Sequence, residues 1–139
     1  LPTCTLSPAA SPDIETSLVP GELITGFQIP VTPFARRSLY PKIRDRESYE
    51  FALASAAVAL DLNQGRIREA CIALGGLATV PWRARQAEAM LANGPADERA
   101  FQADAALSGA QPHEHNAFKI ELGKRTVVRA LTEAAAMNV

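Results

Sequence analysis

The stretch from residue 49 to residue 76, YEFALASAAVALDL-NQG-RIREACIALGG, restricts the possible folds of this chain more than any other. Its second half alternates, with Ile67, Glu69, Cys71 and Ala73 on one side and Arg68, Ala70, Ile72 and Leu74 on the other. That period of two marks a half-buried strand. Asn63, Gln64 and Gly65 between the halves read as a three-residue hairpin loop, with Gly65 in a left-handed bulge position. Alanine favours a helix in the first half, but a hairpin needs two strands. Residues 49–62 and 66–74 are therefore expected to pair as antiparallel strands, and the alanines leave room for a second layer to approach closely.

Two further strands are expected upstream. In residues 22–30, ELITGFQIP, the side chains of Leu23, Thr25, Phe27 and Ile29 share one face, and Pro30 and Pro33 end the run. Residues 36–46 alternate basic and other side chains, so that Lys42, Arg44 and Arg46 would line one face of a strand. Downstream the pattern turns helical. PWRARQAEAMLANG starts on Pro81, suited to a first helical turn, and stops at Asn93-Gly94, with Ala84, Ala87, Met90 and Leu91 as its apolar stripe. A second helix is expected over residues 97–109. A third is capped by Asn116 and carries Phe118, Leu122, Val127, Val128, Leu131 and Ala135 on its apolar side. Strands followed by helices, segregated in sequence, give an α+β fold: an antiparallel sheet of three to four strands, then three helices packed on one face.

The 139 residues suit one domain over residues 21–139. Six of the ten prolines lie in residues 1–33, so residues 1–20 read as a linker. Net charge of −1 gives no global attraction to nucleic acid or to an anionic membrane. No apolar run reaches the roughly 20 residues needed to cross a bilayer. The start of the chain has no signal-peptide pattern, and without an initiator methionine the chain reads as a fragment of a longer protein. Cys4 and Cys71 form neither a metal spacing nor a disulfide framework, which fits a reducing compartment.

The chemical inventory is sparse. His113-Glu114-His115 is better read as a solvated loop than as a metal site, because no separated third ligand accompanies it. Gly75-Gly76 belongs to neither phosphate-binding glycine motif and reads as a turn out of the sheet. Trp82, the single tryptophan, reads as a core or interface anchor. No nucleophile comes with a base and an orienting carboxylate, so no catalytic residue and no metal ligand is assigned. The basic row at 42, 44 and 46 is left with three readings: a surface for phosphates or a flavin ring, a contact across an interface to acidic partners, or a solvated strand face balanced by Asp45, Glu47 and Glu50.

Four segments carry a family resemblance: PGELITGFQIP, SLYPKIRDRESYEFALASAAVALDL, GRIREACIALGGLATVPWRARQAEAML and NAFKIELGKRTVVRAL. Their most specific parts are Y-x-K-x-R-x-R, I-A-L-G-G-x-A-x-x-P-W-R-A and N-A-F-K-x-E-L. Together they resemble the C-terminal domain of the FAD-binding (medium) subunit of the xanthine dehydrogenase/aldehyde oxidoreductase family, the molybdenum hydroxylases. The resemblance implies a fold like the CO dehydrogenase flavoprotein C-terminal domain. It implies that residues 1–20 lead from an N-terminal FAD-binding domain that holds most of the cofactor. It implies an iron–sulfur small subunit with two [2Fe–2S] clusters and a large subunit with the molybdenum cofactor as partners. Tyr40, Lys42, Arg44 and Arg46 match Y-x-K-x-R-x-R, so the resemblance sets them at the edge of the FAD site, while Pro41 stands where some relatives carry a lysine. A cation near the flavin N1–C2=O end favours the reduced, anionic ring. With no phosphate-cradling loop and no complete catalytic set in the sequence, the isolated chain is expected to be inactive; the location expected is the cytoplasm, or the periplasm through a co-exported partner. The alternative is an assembly module that docks subunits without touching cofactor.

Overall fold

The computed structural model describes residue 16, residues 18–98, residue 101 and residues 103–139. Five antiparallel strands form one sheet: β1 (Ser38–Leu39), β2 (Lys42–Ile43), β3 (Ala54–Asn63), β4 (Arg66–Gly75) and β5 (Trp82–Arg83). Both β1 and β2 pair with one edge of β3, β4 pairs with the other, and β5 lies outside β4. Two α-helices follow, α1 (Arg85–Leu91) and α2 (Phe118–Ala135), separated by a 3-10 turn at Ala103–Leu107. The α+β architecture is the one expected, with two helices and a turn in place of three helices. Most of the expected linker, residues 1–15 and 17, lies outside the described residues, as do 99, 100 and 102 of the expected middle helix.

The central hairpin pairs as expected from residue 54 onward, and its alanine-rich half is a strand over Ala54–Asn63; residues 49–53, expected in the same strand, lie in the loop ahead of it. Pairing on both sides satisfies the backbone of β3, and this tertiary context overrides alanine's helical preference. The loop is tighter than a three-residue one. Asn63 pairs with Arg66, leaving only Gln64 and Gly65 between the strands, both at positive φ (50° and 75°). Two central residues with positive φ make the turn type whose twist matches the strands it joins. The irregularity lies further in, where Leu62 faces Ile67 but Asp61 faces Glu69, so Arg68 is an extra residue. This bulge resets the alternation. Ile67 joins Ala70, Ile72 and Leu74 on the buried face, and Glu69 is exposed with Arg68.

The buried face of β3 carries Ala54, Ala56, Val58 and Leu60. α2 packs on β3, α1 packs on β4, and the 3-10 turn contacts both helices. α2 buries Gly123, Thr126, Val127, Ala130, Leu131 and Ala134, a stripe at steps of three and four. Small residues dominate it, so Phe118, expected in the stripe, is exposed instead. Thr126 tolerates burial because its hydroxyl donates to the Leu122 carbonyl at 2.7 Å. Leu60, Ile67, Ile72, Leu74 and Leu131 are fully buried, and each contributes about 1.5–3 kcal/mol of transfer free energy.

Four other expectations are corrected. Residues 22–30 form no strand and are exposed. The helix expected from Pro81 starts at Arg85, because Trp82 and Arg83 pair with Leu74 and Ala73 as β5. Met90 is exposed, while Ala84, Ala87 and Leu91 are buried as expected. Asn116 does not cap α2 with its side chain; its Oδ1 accepts from the His113 amide at 2.7 Å, closing the turn ahead of the helix. Gly75-Gly76 does leave the sheet as a turn. Gly76 sits at φ +73°, and a Cβ there would meet the Ala52 carbonyl oxygen at 2.7 Å. Trp82 anchors the 3-10 turn, its indole N–H donating to the Ala106 carbonyl at 2.9 Å.

The C-terminus of α2 is held from far away in sequence. Arg37, just before β1, donates from one guanidinium nitrogen to the carbonyls of Ala134, Ala135 and Met137 at 3.0, 2.8 and 2.6 Å. No basic residue stands in the last turn of α2 itself. The terminal carbonyls therefore receive their cation and their donors from the start of the sheet.

Candidate functional site: the β1–β2 edge and its loop

The row read as one basic strand is broken by its own sequence. Pro41 has no N–H to give a ladder, and β1 and β2 are two short strands on either side of it. Register survives the break: Ser38 faces Ala59, Leu39 faces Val58, Lys42 faces Ser55 and Ile43 faces Ala54. Pro41 still contributes its carbonyl, which accepts from the Ala56 amide at 3.1 Å. Leu39 packs on the core. Ser38 and Lys42 are paired with β3 residues of the opposite parity to its buried set, which puts them on the sheet face without helices.

Tyr40 belongs to that face as well. Its hydroxyl donates to Ser55 Oγ at 3.2 Å. Ser55 is 1% exposed, and this bond explains how a serine is accommodated within β3. Around Tyr40 the uncovered face forms a shallow cleft of about 510 Å³ with a floor of Ala57, Ala59, Cys71 and Ala73 and with Ser38 and Arg83 at its margins. Arg83 is fixed by Glu88, whose Oε1 accepts from its Nε at 2.5 Å and from the Ile72 amide at 2.6 Å. The Glu88 hydrogen bond is the main reason the Arg83 guanidinium is held above its ordinary pKa.

Beyond Ile43 the strand ends, so Arg44 and Arg46 do not extend a strand face. Residues 45–49 bend, and two of the cations turn inward on the bend. Lys42 Nζ donates to the Glu50 carbonyl. Arg46 donates to the Tyr49 carbonyl at 2.7 Å, and its Nε lies 3.0 Å from Glu50 Oε2. Leu53 then re-enters the ladder through the Ile43 carbonyl at 2.9 Å. Arg44 is exposed and makes no hydrogen bond or ion pair among the described residues. Three cations that would repel along a strand are thus separated, two of them by pairing with loop carbonyls.

The loop so held presents two aromatics that the pattern analysis did not single out. Tyr49 is fully exposed and Phe51 is 92% exposed. Tyr49 sits at φ +55°, a conformation uncommon for a residue with a Cβ and a reason to examine function. The available signal was the placement of two aromatics inside a charged, turn-forming stretch.

Beside α2 the charges pair with one another. A depression of about 600 Å³ beside α2 is lined by the pairs Lys124–Asp104, Arg125–Glu121 and Arg129–Glu133 at 2.6, 2.8 and 2.7 Å. His113, Glu114 and His115 are exposed, and no group of three or more metal-ligating side chains occurs among the described residues. Among the same residues, no helix is long and apolar enough to cross a membrane.

A one-sided antiparallel sheet with two helices on its buried face, and a basic, aromatic-bearing edge on β3, defines a small α+β module. Residues 39–134 match the CO dehydrogenase flavoprotein C-terminal domain, and the chain belongs to that family. The aldehyde oxidoreductase FAD-binding subunit PaoB of Escherichia coli (strain K12) is 42% identical over 130 residues, 93% of this chain and 38% of that protein. The carbon monoxide dehydrogenase medium chain of Afipia carboxidovorans is 35% identical over 95 residues, 68% of this chain and 33% of that one. Among solved structures, a reconstituted CO dehydrogenase from Oligotropha carboxidovorans superposes with a TM-score of 0.78 at 27% identity, covering 88% of this chain and 45% of the matched one. The family resemblance read from the motifs is borne out, and so is the fold class. The chain spans less than half the length of each of these relatives.

Proposed function

We propose that this chain is the C-terminal portion of the FAD-binding subunit of a molybdenum-dependent hydroxylase, and that the β1–β2 edge with loop 44–51 completes the rim of the flavin site. The observation that carries the reading is a set of cations and hydroxyls on an uncovered sheet edge, strapping a loop that offers exposed aromatic faces at Tyr49 and Phe51. Such a set fits an isoalloxazine, which is planar and gains negative charge at its N1–C2=O edge on reduction. It does not fit the pyrophosphate, since no glycine-rich phosphate loop occurs in the 139 residues. The phosphates therefore fall to the N-terminal FAD-binding domain, to which residues 1–20 would connect.

When bound, FAD supplies the acceptor for electrons from the iron–sulfur clusters of the small subunit, after hydroxylation at the molybdenum cofactor of the large subunit. The residues of this chain bind and orient. Tyr40, seated on Ser55, limits the depth of the cleft beside β3. Lys42 and Arg46 fix the loop backbone, Tyr49 and Phe51 shield a ring face from water, and Arg44 brings the unpaired cation. Alone, the chain neither holds FAD tightly nor oxidises substrate.

A second reading, a docking module without cofactor contact, draws support from Lys42 and Arg46 being engaged within their own loop. Lys42→Ala and Arg44→Ala in the full subunit separate the two. Removing a charge-assisted hydrogen bond costs about 1.5–3 kcal/mol, about one to two decades in rate. Flavin reduction should slow by that factor, while hydroxylation coupled to a dye that takes electrons before FAD persists. Unchanged flavin kinetics with weakened subunit association would favour the docking module. Wild-type values of both would remove both readings.

A further inference from the structure

Residues 22–31 have the side-chain pattern of a strand and none of its partners. Leu23, Phe27, Ile29 and Val31 recur at odd positions and are 83–101% exposed. Residues 23–31 make no backbone hydrogen bond among the described residues. From residue 23 to residue 35 the sequence contains no Asp, Glu, Lys or Arg. An exposed apolar edge is normally blunted by charge, and this one carries only Pro30 and Pro33 near its end. Such a surface is built to be covered.

The domain's own sheet does not cover it. β1 and β2 occupy one edge of the central hairpin and β5 the other, while the helices fill the buried face. The stretch also lies outside the family domain, which begins at residue 39. It lies inside what is shared with PaoB, because that match takes in 130 of the 139 residues and so leaves only nine uncovered. The same match accounts for 38% of PaoB, so the larger part of that polypeptide lies elsewhere.

We propose that residues 22–31 form the edge strand of a β-sheet in the part of a PaoB-length polypeptide that lies outside this domain, with Leu23, Phe27, Ile29 and Val31 entering that sheet's apolar layer. Pro30 sets the strand at an edge, where a missing N–H can face solvent. The main chain supplies the ladder and alternate side chains supply the choice of partner, as in strand addition generally. β1 starts seven residues after Val31, so this strand fixes where Tyr40 and Lys42 sit relative to the partner sheet. The inference rests on the pattern and the family, and holds whether or not the β1–β2 edge touches flavin.

Hydrogen exchange read by mass spectrometry tests it, on the chain alone and on a fusion in which the chain replaces the matched span of PaoB. In the chain alone the amides of 23–31 should exchange fast; in the fusion they should slow by about 100-fold or more, as ladder amides do. Phe27→Asp with Ile29→Asp should abolish that protection and leave the β3–β4 amides unchanged. Equal exchange in chain and fusion would overturn the proposal. So would concentration-dependent protection in the chain alone, which would make a second copy the occupant. Should the fusion fail to fold, the chain is titrated with the rest of PaoB produced separately. There the double variant should bind at least about tenfold more weakly, and equal binding, or none by either form, would count against the strand.

Discussion

Arg37→Ala should destabilise this domain by more than any other single change at an arginine. One guanidinium nitrogen has two hydrogens, yet it serves three carbonyls at 3.0, 2.8 and 2.6 Å, so at least one hydrogen is shared. A hydrogen bond to a charged group contributes about 1.5–3 kcal/mol, and a cation at a helix C-terminus adds about 0.3–1 kcal/mol. The site is only partly buried, so carbonyls released by the mutation regain water, and the expected net loss is about 2–3 kcal/mol. With a urea m-value of about 1–3 kcal/mol/M, the midpoint should fall by about 1 M without a change in m. The thermal midpoint should fall by about 5–12 °C. Fluorescence of Trp82, the single tryptophan, reports the transition from the sheet–helix boundary. The neighbouring Arg36 is exposed and makes no hydrogen bond or ion pair among the described residues, so Arg36→Ala should stay within about 0.5 kcal/mol of wild type. Arg37→Lys, with the charge kept and the planar fork lost, should fall between. A midpoint for Arg37→Ala within about 0.2 M of wild type would refute the reasoning, as would an equal loss from Arg36→Ala.

Gly76→Ala combines a positive φ with a backbone oxygen 2.7 Å from the new Cβ and should cost about 2 kcal/mol or more by calorimetry. Gly109→Ala, at φ +83° but with nothing within 4 Å, should cost only the conformational part, about 1–2 kcal/mol. The hydrogen bond from Lys124 to Asp104 holds the Lys124 ammonium above its ordinary pKa. A raised folded pKa stabilises below the unfolded value and is lost as pH rises through the folded one. Stability should therefore be insensitive to this pair at pH 6–9, and an Nζ titration by NMR should move down in Asp104→Asn.

The sequence made the central hairpin legible because its register is written in side chains that alternate and in a glycine suited to a turn. The Arg68 bulge was not legible, since an extra residue in a ladder is decided by the partner strand. β5 was missed for a related reason: Pro81 suits the start of a helix, and only the free edge of β4 makes a strand of Trp82 and Arg83. The stripe of α2 was misjudged because Gly123, Thr126 and the alanines were not weighed as core, although small side chains are what a closely approaching helix buries. At the candidate site, the placement of Tyr40 and Lys42 off the buried face followed from alternation. The inward turn of Lys42 and Arg46 did not, because loop carbonyls as acceptors leave no trace in a pattern of side chains.

The Arg37 clamp also has a geometric consequence. It joins residue 37 to residues 134–137, so the polypeptide enters and leaves the domain within one side-chain length. A module whose two ends meet is insertable: it can be carried as a cassette in a host loop, or have its ends joined and be reopened at the exposed Gln64-Gly65 turn, with the sheet and helices keeping their contacts. The longer proteins of this family could therefore gain or vary the domain without re-routing the chain around it.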